Sequence, residues 1–248
     1  QKGDMCPYCI ADIQEREDER KRRQAGLPLP EAPDPDTPKN ALKAQQMLAQ
    51  RVLQRRRLLP FVEGSKPNYL AGWVHKDICR RLERFEQQVV NGESPRLMLF
   101  MPPRHGKSQI ASIDYPAWHL GRNPHHEIIA CSYSASLAMG FSRKVRAQLR
   151  SPEYAALFPK TELDPDVQAA EGWQTTAGGG YVPAGVSGPI TGKGAHVLII
   201  DDPVKNREEA ESANTQEVNY DWYTSTAYTR LAPGGGILVI MTRWHDMD

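Results

Sequence analysis

The chain has 248 residues, room for one large α/β core with a small additional module. Its 31 Lys and Arg stand against 30 Asp and Glu, so no chain-wide basic character marks a nucleic-acid partner and any DNA contact is expected to be local. Apolar runs are strand-sized, well short of the roughly 18 residues of a membrane span, and no basic-then-apolar signal segment opens the sequence; a soluble, intracellular protein with no membrane partner is expected.

Two of the four cysteines form Cys6-Pro7-Tyr8-Cys9. A redox CxxC would open a helix in a thioredoxin-like βαβ setting, whereas this one runs into the charged stretch QEREDERKRR. Half of a zinc site is a second possibility, but Cys79 and Cys131 fall in apolar patterns and no further CxxC or HxxxH completes four ligands. Two reduced thiols are the plain reading. Residues 10–25 read as a charged helix and 26–38 (GLPLPEAPDPDTP) as a stiff spacer poor in apolar groups, so 1–38 is expected to be a loosely attached extension and 39–248 the folded domain.

A helix is expected over 40–59, with Leu42, Ala49, Val52 and Leu53 on one side and Arg55-Arg56-Arg57 near its end, a run that suits either a solvated helix terminus or a contact with DNA or a neighbouring subunit. Val74, Ile78, Leu82, Phe85 and Val89 recur at intervals of three and four and predict an amphipathic helix ending near Asn91-Gly92. Arg96–Phe100 then reads as a strand, MPPRHGKS as a turn, and the stripe Ile110, Ile113, Ala117, Leu120 as a helix despite Pro116. A second strand is expected at 127–133, followed by a helix with Leu137, Phe141, Val145 and Leu149 on one face. Val197–Ile200 and Gly236–Met241 are the third and fourth strands. Trp173–Gly194, rich in Gly and interrupted by Pro183 and Pro189, reads as a hairpin or an exposed loop. Short apolar strands alternating with helices predict an α/β fold with a mainly parallel sheet covered on both faces.

Gly106-Lys107-Ser108, placed between a strand and a helix, is the phosphate-binding signature: backbone N–H groups wrap the phosphates, the Lys reaches the β- and γ-phosphates of ATP, and the hydroxyl meets Mg²⁺. The usual first glycine is replaced by Met101, and Pro102 and Pro103 donate no N–H. The anion nest is therefore expected from His105, Gly106, Lys107 and Ser108 and the start of the helix, with Arg104 adding charge. Val197–Ile200 delivers Asp201 to the same edge as a metal-holding carboxylate, and Asp202 as one that orients or deprotonates the attacking water. Mere turn chemistry at Asp-Asp-Pro is the competing explanation. The strand at 127–133, lying between the two motifs, marks the branch of P-loop proteins that holds helicases, recombinases and translocases. Thr242 and Arg243, after the last strand, are placed to sense the γ-phosphate or simply to end the strand in polar residues.

The motifs GWVHKDICRRLE, MPPRHGKS, YPAWHLGRNP, FSRKVR with SPEYAALFP, GPITGKGAHVLIIDDPVKN and LVIMTRWH, in this order, make the chain resemble the large terminase subunit of tailed bacteriophages over about 55–248. The resemblance implies a RecA-like P-loop ATPase domain followed by a ribonuclease-H-like nuclease domain, the latter expected to be absent from this chain, so that no nuclease activity is expected from it alone. It also implies a homo-oligomeric ring, typically a pentamer, in the cytoplasm of the infected host and transiently at the portal vertex. Its partners would be double-stranded DNA, the portal protein and the small terminase subunit. Position by position it makes Lys107 and Ser108 the phosphate and Mg²⁺ ligands, Asp201 the Walker B aspartate and Thr242 part of the coupling motif. Asp202 departs from the family's frequent Glu by one methylene. A cation supplied in trans is not fixed by spacing, and Arg143, Arg146 and Lys193 are the candidates. Trp73 and His75 lie where the family holds adenine, although Trp73 suits core packing equally. Two other functions remain open: a nucleotide-gated docking module with little turnover, and a helicase-like ATPase.

Overall fold

A computed structural model describes residues 21, 38–169, 171–190 and 194–246. The Cys6/Cys9 pair, nearly all of the 1–38 extension and Lys193 lie outside the described residues. The chain divides into two compact units, Gln1–Arg51 and Val52–Asp248. Helix α1, Pro38–Arg56, accounts for the described part of the first unit apart from Lys21. Its apolar positions Leu42, Val52 and Leu53 are 55%, 41% and 54% exposed, so the expected apolar side is not a buried one. The helix also stops earlier than its pattern suggested. Arg57 is extended, pairs with Glu83 at 2.7 Å, and lets the other Glu83 oxygen accept from Leu58 N, which starts α2, Leu58–Ser65. Among the described residues no helix is long and apolar enough to cross a membrane.

In the second unit α3, Trp73–Val90, buries Ile78, Leu82, Phe85 and Val89, the expected stripe. Seven strands follow: β1 Arg96–Phe100, β2 Glu127–Ser132, β3 Leu163–Ala169, β4 Gly172–Thr175, β5 Gly180–Gly185, β6 Ala195–Asp201 and β7 Leu231–Met241. They form one sheet in the order β1-β7-β6-β2-β5-β4-β3. The pairs from β1 through β5 are parallel, and β4 and β3 extend the sheet antiparallel. One face packs on α2, α3, the helical segment 109–122 and α5, Ala135–Leu149; α8, Ala213–Trp222, and the turns after it contribute Trp222 and Ala227 to the apolar cluster on the other. The remaining short helices are α6, Pro152–Leu157, and α7, Arg207–Ala210. The fold is a mixed α/β architecture with helices on both faces of a mostly parallel sheet. Strand β2, which lies between the two motifs in sequence, is outside β6 in space; the strand between the P-loop strand and the Asp201 strand is β7.

Of the two readings of 173–194, the exposed loop is overturned. The segment begins with the β4–β5 hairpin, and Trp173 and Tyr181 are buried and stacked at 5.6 Å. Pro183 sits in β5 opposite Ala130, beyond the two positions where β4 pairs, so the outer edge there asks for no further donor. Pro116 has a local solution too. Residues Gln109–Asp114 form a π-helical turn, Tyr115 N bonds Ile110 O, and α4, Tyr115–Arg122, begins with the proline in its first turn. Gly236 is required for a different reason: a Cβ there would come within 2.6 Å of Phe85 and 2.7 Å of Val89, so its absence lets α3 press directly on β7.

At the edge opposite the P-loop, His119, His126 and His196 form a chain. His119 Nε2 and His126 Nδ1 are 3.0 Å apart, the His126 and His196 rings stack at 4.2 Å, and His196 Nδ1 accepts from Glu127 N. Burial, reinforced by its histidine neighbours, pushes His119 well below the usual imidazole range and His126 down to about 4; His196 is lowered as well. The folded protein therefore binds fewer protons than the unfolded chain below pH 6.5, and stability present above that value is lost as pH falls towards 4. Chemical-denaturant titrations from pH 7 to 4 should show that loss, with a shallower slope for His126→Gln; equal slopes would show that His126 does not contribute.

Candidate active site

Parallel pairing of β1, β7 and β6 brings three chain exits to one edge. Phe100 lies opposite Met241, Asp201 opposite Ile240, Met101 N bonds Met241 O at 3.1 Å and Asp202 N bonds Ile240 O at 2.7 Å. From that edge β1 runs into the loop 101–108, the candidate phosphate-binding loop. Arg104 and Gly106 have φ of 63° and 77° between residues of negative φ, an alternation that turns successive N–H groups towards one concave side. Ser108 then leads into the helix whose positive end faces the same space. Arg104 and His105 are exposed, and His105 Nδ1 bonds Pro103 O at 2.8 Å. Lys107, by contrast, is buried, its ammonium held by Asp202.

Asp201 is 1% exposed, and its two oxygens accept from different hydroxyls: Oδ1 from Ser108 Oγ at 3.1 Å and Oδ2 from Ser112 Oγ at 2.6 Å. Desolvation pushes its carboxyl up to about 6, against the downward pull of the Ser112 and Ser108 hydrogen bonds; the Asp202 charge adds to the rise and Lys107 opposes it. Asp202 leaves the strand at φ 45°, a left-handed conformation that costs a non-glycine residue about 1 kcal/mol or more. That turn presents Oδ2 to Lys107 while Oδ1 accepts from Thr242 N at 3.0 Å, and Thr242 Oγ1 in turn donates to Met101 O at 3.2 Å. Lys107, Ser108, Asp201, Asp202 and Thr242 are thus joined in one network. The oxygens of Ser108 and Asp201 suit a hard divalent ion such as Mg²⁺.

Two participants escaped the motif reading. Ser112 lies one turn beyond Ser108, and its part in the site could have been found from that spacing. Asp114, fully buried, accepts from Lys66 Nζ at 2.5 Å, Gln148 Nε2 at 2.8 Å and Gln109 Nε2 at 3.2 Å, tying the segment after α2 and helix α5 to the P-loop helix. No local spacing announces that link.

The outlying candidates divide. Trp73 is 82% exposed, which removes core packing as its role. His75, two residues on, points at the loop: Nδ1 accepts from Gly72 N and Nε2 meets His105 O, both at 3.1 Å. Arg143 is exposed on α5, whereas Arg146 donates to the Gln168 and Ala169 carbonyls at the end of β3. Lys193 falls outside the described residues.

A family model described as the N-terminal part of the terminase large subunit, T4likevirus-type, matches residues 98–248, more than half of the chain. The chain belongs to the terminase large subunit family. Among solved structures it is similar to the bacteriophage HK97 large terminase, at 13% identity and a TM-score of 0.44, over 65% of this chain. It spans about a third of that structure's length, 32%. No curated protein matches. The family is one of phage DNA-packaging proteins whose N-terminal domains are generally ATPases. The matched terminase region contains the loop, both aspartates and Thr242; Trp73 and His75 precede it.

Because Asp201 has a raised pKa, the fold favours its protonated form, and ionising it weakens the terminase domain as pH rises from about 4 through 6. Asp201→Asn removes that charge while retaining groups that can bond both serines. In thermal unfolding without nucleotide at pH 7.5, the variant should melt several degrees above wild type, since a carboxyl raised to about 6 costs the fold roughly 3 kcal/mol at most when ionised. A lower midpoint would show that the ionised carboxylate is not a cost to the fold.

Proposed function

We propose that this chain hydrolyses ATP at the Lys107 loop and that hydrolysis drives double-stranded viral DNA into a preformed capsid. The observation that carries the reading is the convergence of Lys107, Ser108, Asp201 and Asp202 at the shared edge of β1 and β6. The loop amides and Lys107 bind the phosphates. To do so Lys107 must give up Asp202, so phosphate binding and release of the carboxylate are one event. Asp202 Oδ1 stays on Thr242 N while Oδ2 becomes available to orient the attacking water and take its proton. Ser108 and Asp201 would hold Mg²⁺, which neutralises phosphate charge when bound.

Thr242 links this chemistry to mechanical work, because the carboxylate it holds and the Met101 carbonyl it donates to belong to the two motifs. A cation from a neighbouring copy completes the charge balance; such a residue is worth about 10³–10⁵ in rate. Arg143 is the better placed of the described candidates, since Arg146 would have to leave its two carbonyls. Assembly as a ring on the portal, with the small terminase subunit delivering DNA, belongs to the same proposal.

Steady-state phosphate release, with and without duplex DNA, tests the reading. Wild type should turn over and respond to DNA, and Lys107→Ala should lose both nucleotide binding and turnover while staying folded. Wild-type turnover by Lys107→Ala would refute the loop assignment, and tight nucleotide binding without turnover by wild type would favour a docking module. Asp202→Asn should lower kcat by about 10²–10⁴. Its nucleotide affinity should be unchanged or higher, because the competitor for Lys107 has lost its charge. Weaker ATP binding by Asp202→Asn would mean that Asp202 holds the nucleotide instead of activating water.

A further inference from the structure

The phosphate-binding loop of this chain lacks two of the usual means of holding its shape. Met101 stands where the first glycine would be, and Pro102 and Pro103 supply no N–H. Arg104 takes a positive φ without being glycine. Something outside the loop is needed to keep its crest in register, and α3 provides it.

His75, in the first turn of α3, uses both ring nitrogens. Nδ1 accepts the Gly72 N–H at 3.1 Å, so it carries no proton, and the proton of the neutral ring is on Nε2. Nε2 therefore donates to the His105 carbonyl, also at 3.1 Å. The peptide between His105 and Gly106 is planar and trans, with its C=O and N–H pointing in opposite directions. Fixing the carbonyl towards α3 fixes the Gly106 N–H away from it, into the nest. The contact is close: a Cβ on Gly106 would lie 3.5 Å from His75 Nε2. Tyr69 packs against the ring with centroids 5.7 Å apart, so the imidazole is set between the segment before α3 and the loop.

We propose that His75 is a positioning residue for phosphate, aiming the Gly106 N–H by holding the His105 carbonyl, and does not recognise the base. The proposal rests on the nucleotide-binding reading above and makes a different demand on ligands. A residue that stacks on adenine acts on ATP alone, whereas one that shapes the nest acts equally on any polyphosphate.

The test is calorimetric titration of wild type, His75→Leu and His75→Gln with ATP and with inorganic tripolyphosphate, each with Mg²⁺, beside thermal unfolding of each protein. His75→Leu should weaken both ligands by the same factor, roughly tenfold for a lost hydrogen bond that aims a second one. His75→Gln offers an acceptor for Gly72 N and a donor for His105 O from one amide, and should bind both ligands as wild type does. Loss of ATP affinity with tripolyphosphate unchanged would overturn the proposal in favour of base stacking, as would unchanged binding of both ligands by His75→Leu. If His75→Leu does not fold, the glutamine variant decides: one that melts like wild type but binds tripolyphosphate poorly overturns it. A wild-type protein that binds neither ligand would sink the nucleotide site itself, and this proposal with it. ATP binding by wild type that survives in neither His75 variant would condemn the positioning role alone.

Discussion

A carboxylate taken out of water must be met by hydrogen bonds or by cations, and the neighbourhood of Asp201 is arranged around that demand. Both oxygens rest on hydroxyls of the P-loop helix, and Lys107 lies close enough to lower the cost of the charge. The same contacts determine where the loop can be. Ser108 cannot leave Asp201 without stranding a buried oxygen, and Ser112, deeper in the helix, holds the other oxygen. The strand that delivers Asp201 and the helix that follows the loop are thereby fastened at the point where a divalent ion would bind.

Asp202 has the opposite character. It is adjacent in sequence but sits in a left-handed turn, more open to solvent, paired with a lysine it would have to surrender to phosphate. One aspartate is held by neutral hydroxyls and penalised by burial; the other is held by a charge and a backbone N–H. Two identical side chains thus acquire different chemistry from the geometry of one strand end.

Much of this was legible in the sequence. The period of Ile78, Leu82, Phe85 and Val89 determined α3, and the apolar runs at 128–131, 197–200 and 237–241 are largely buried strands, whereas the run at 97–100 is the edge strand β1, with Leu99 buried and Met98 and Phe100 exposed. The motif residues Lys107, Ser108, Asp201, Asp202 and Thr242 meet because parallel strands deliver their C-terminal ends to one edge. What escaped were features decided by distant partners. Glycines and prolines from 173 onward left a hairpin and an exposed loop open, and the stacking of Trp173 on Tyr181 across the β4–β5 hairpin decides between them. The apolar positions of α1 have helical spacing without a buried face, and the break at Arg57 depends on Glu83, 26 residues away. Asp114 lies within the helical stripe of Ile110, Ile113, Ala117 and Leu120, where no spacing marks it; Lys66 and Gln148 make it a junction.

Strand β7 is unusual in being eleven residues long and paired on both sides with the strands that carry the two motifs. Sliding it would shear two ladders together, and α3 bears directly on it at Gly236. The sheet in this region behaves as an anvil. Along its paired length, 237–241, the strand has little room to slide, so a displacement at Asp202 would be taken up in the irregular backbone of 242–246, which leaves the sheet at the same edge. The compliance of that short segment, more than any bending of the core, would set how far such a displacement carries.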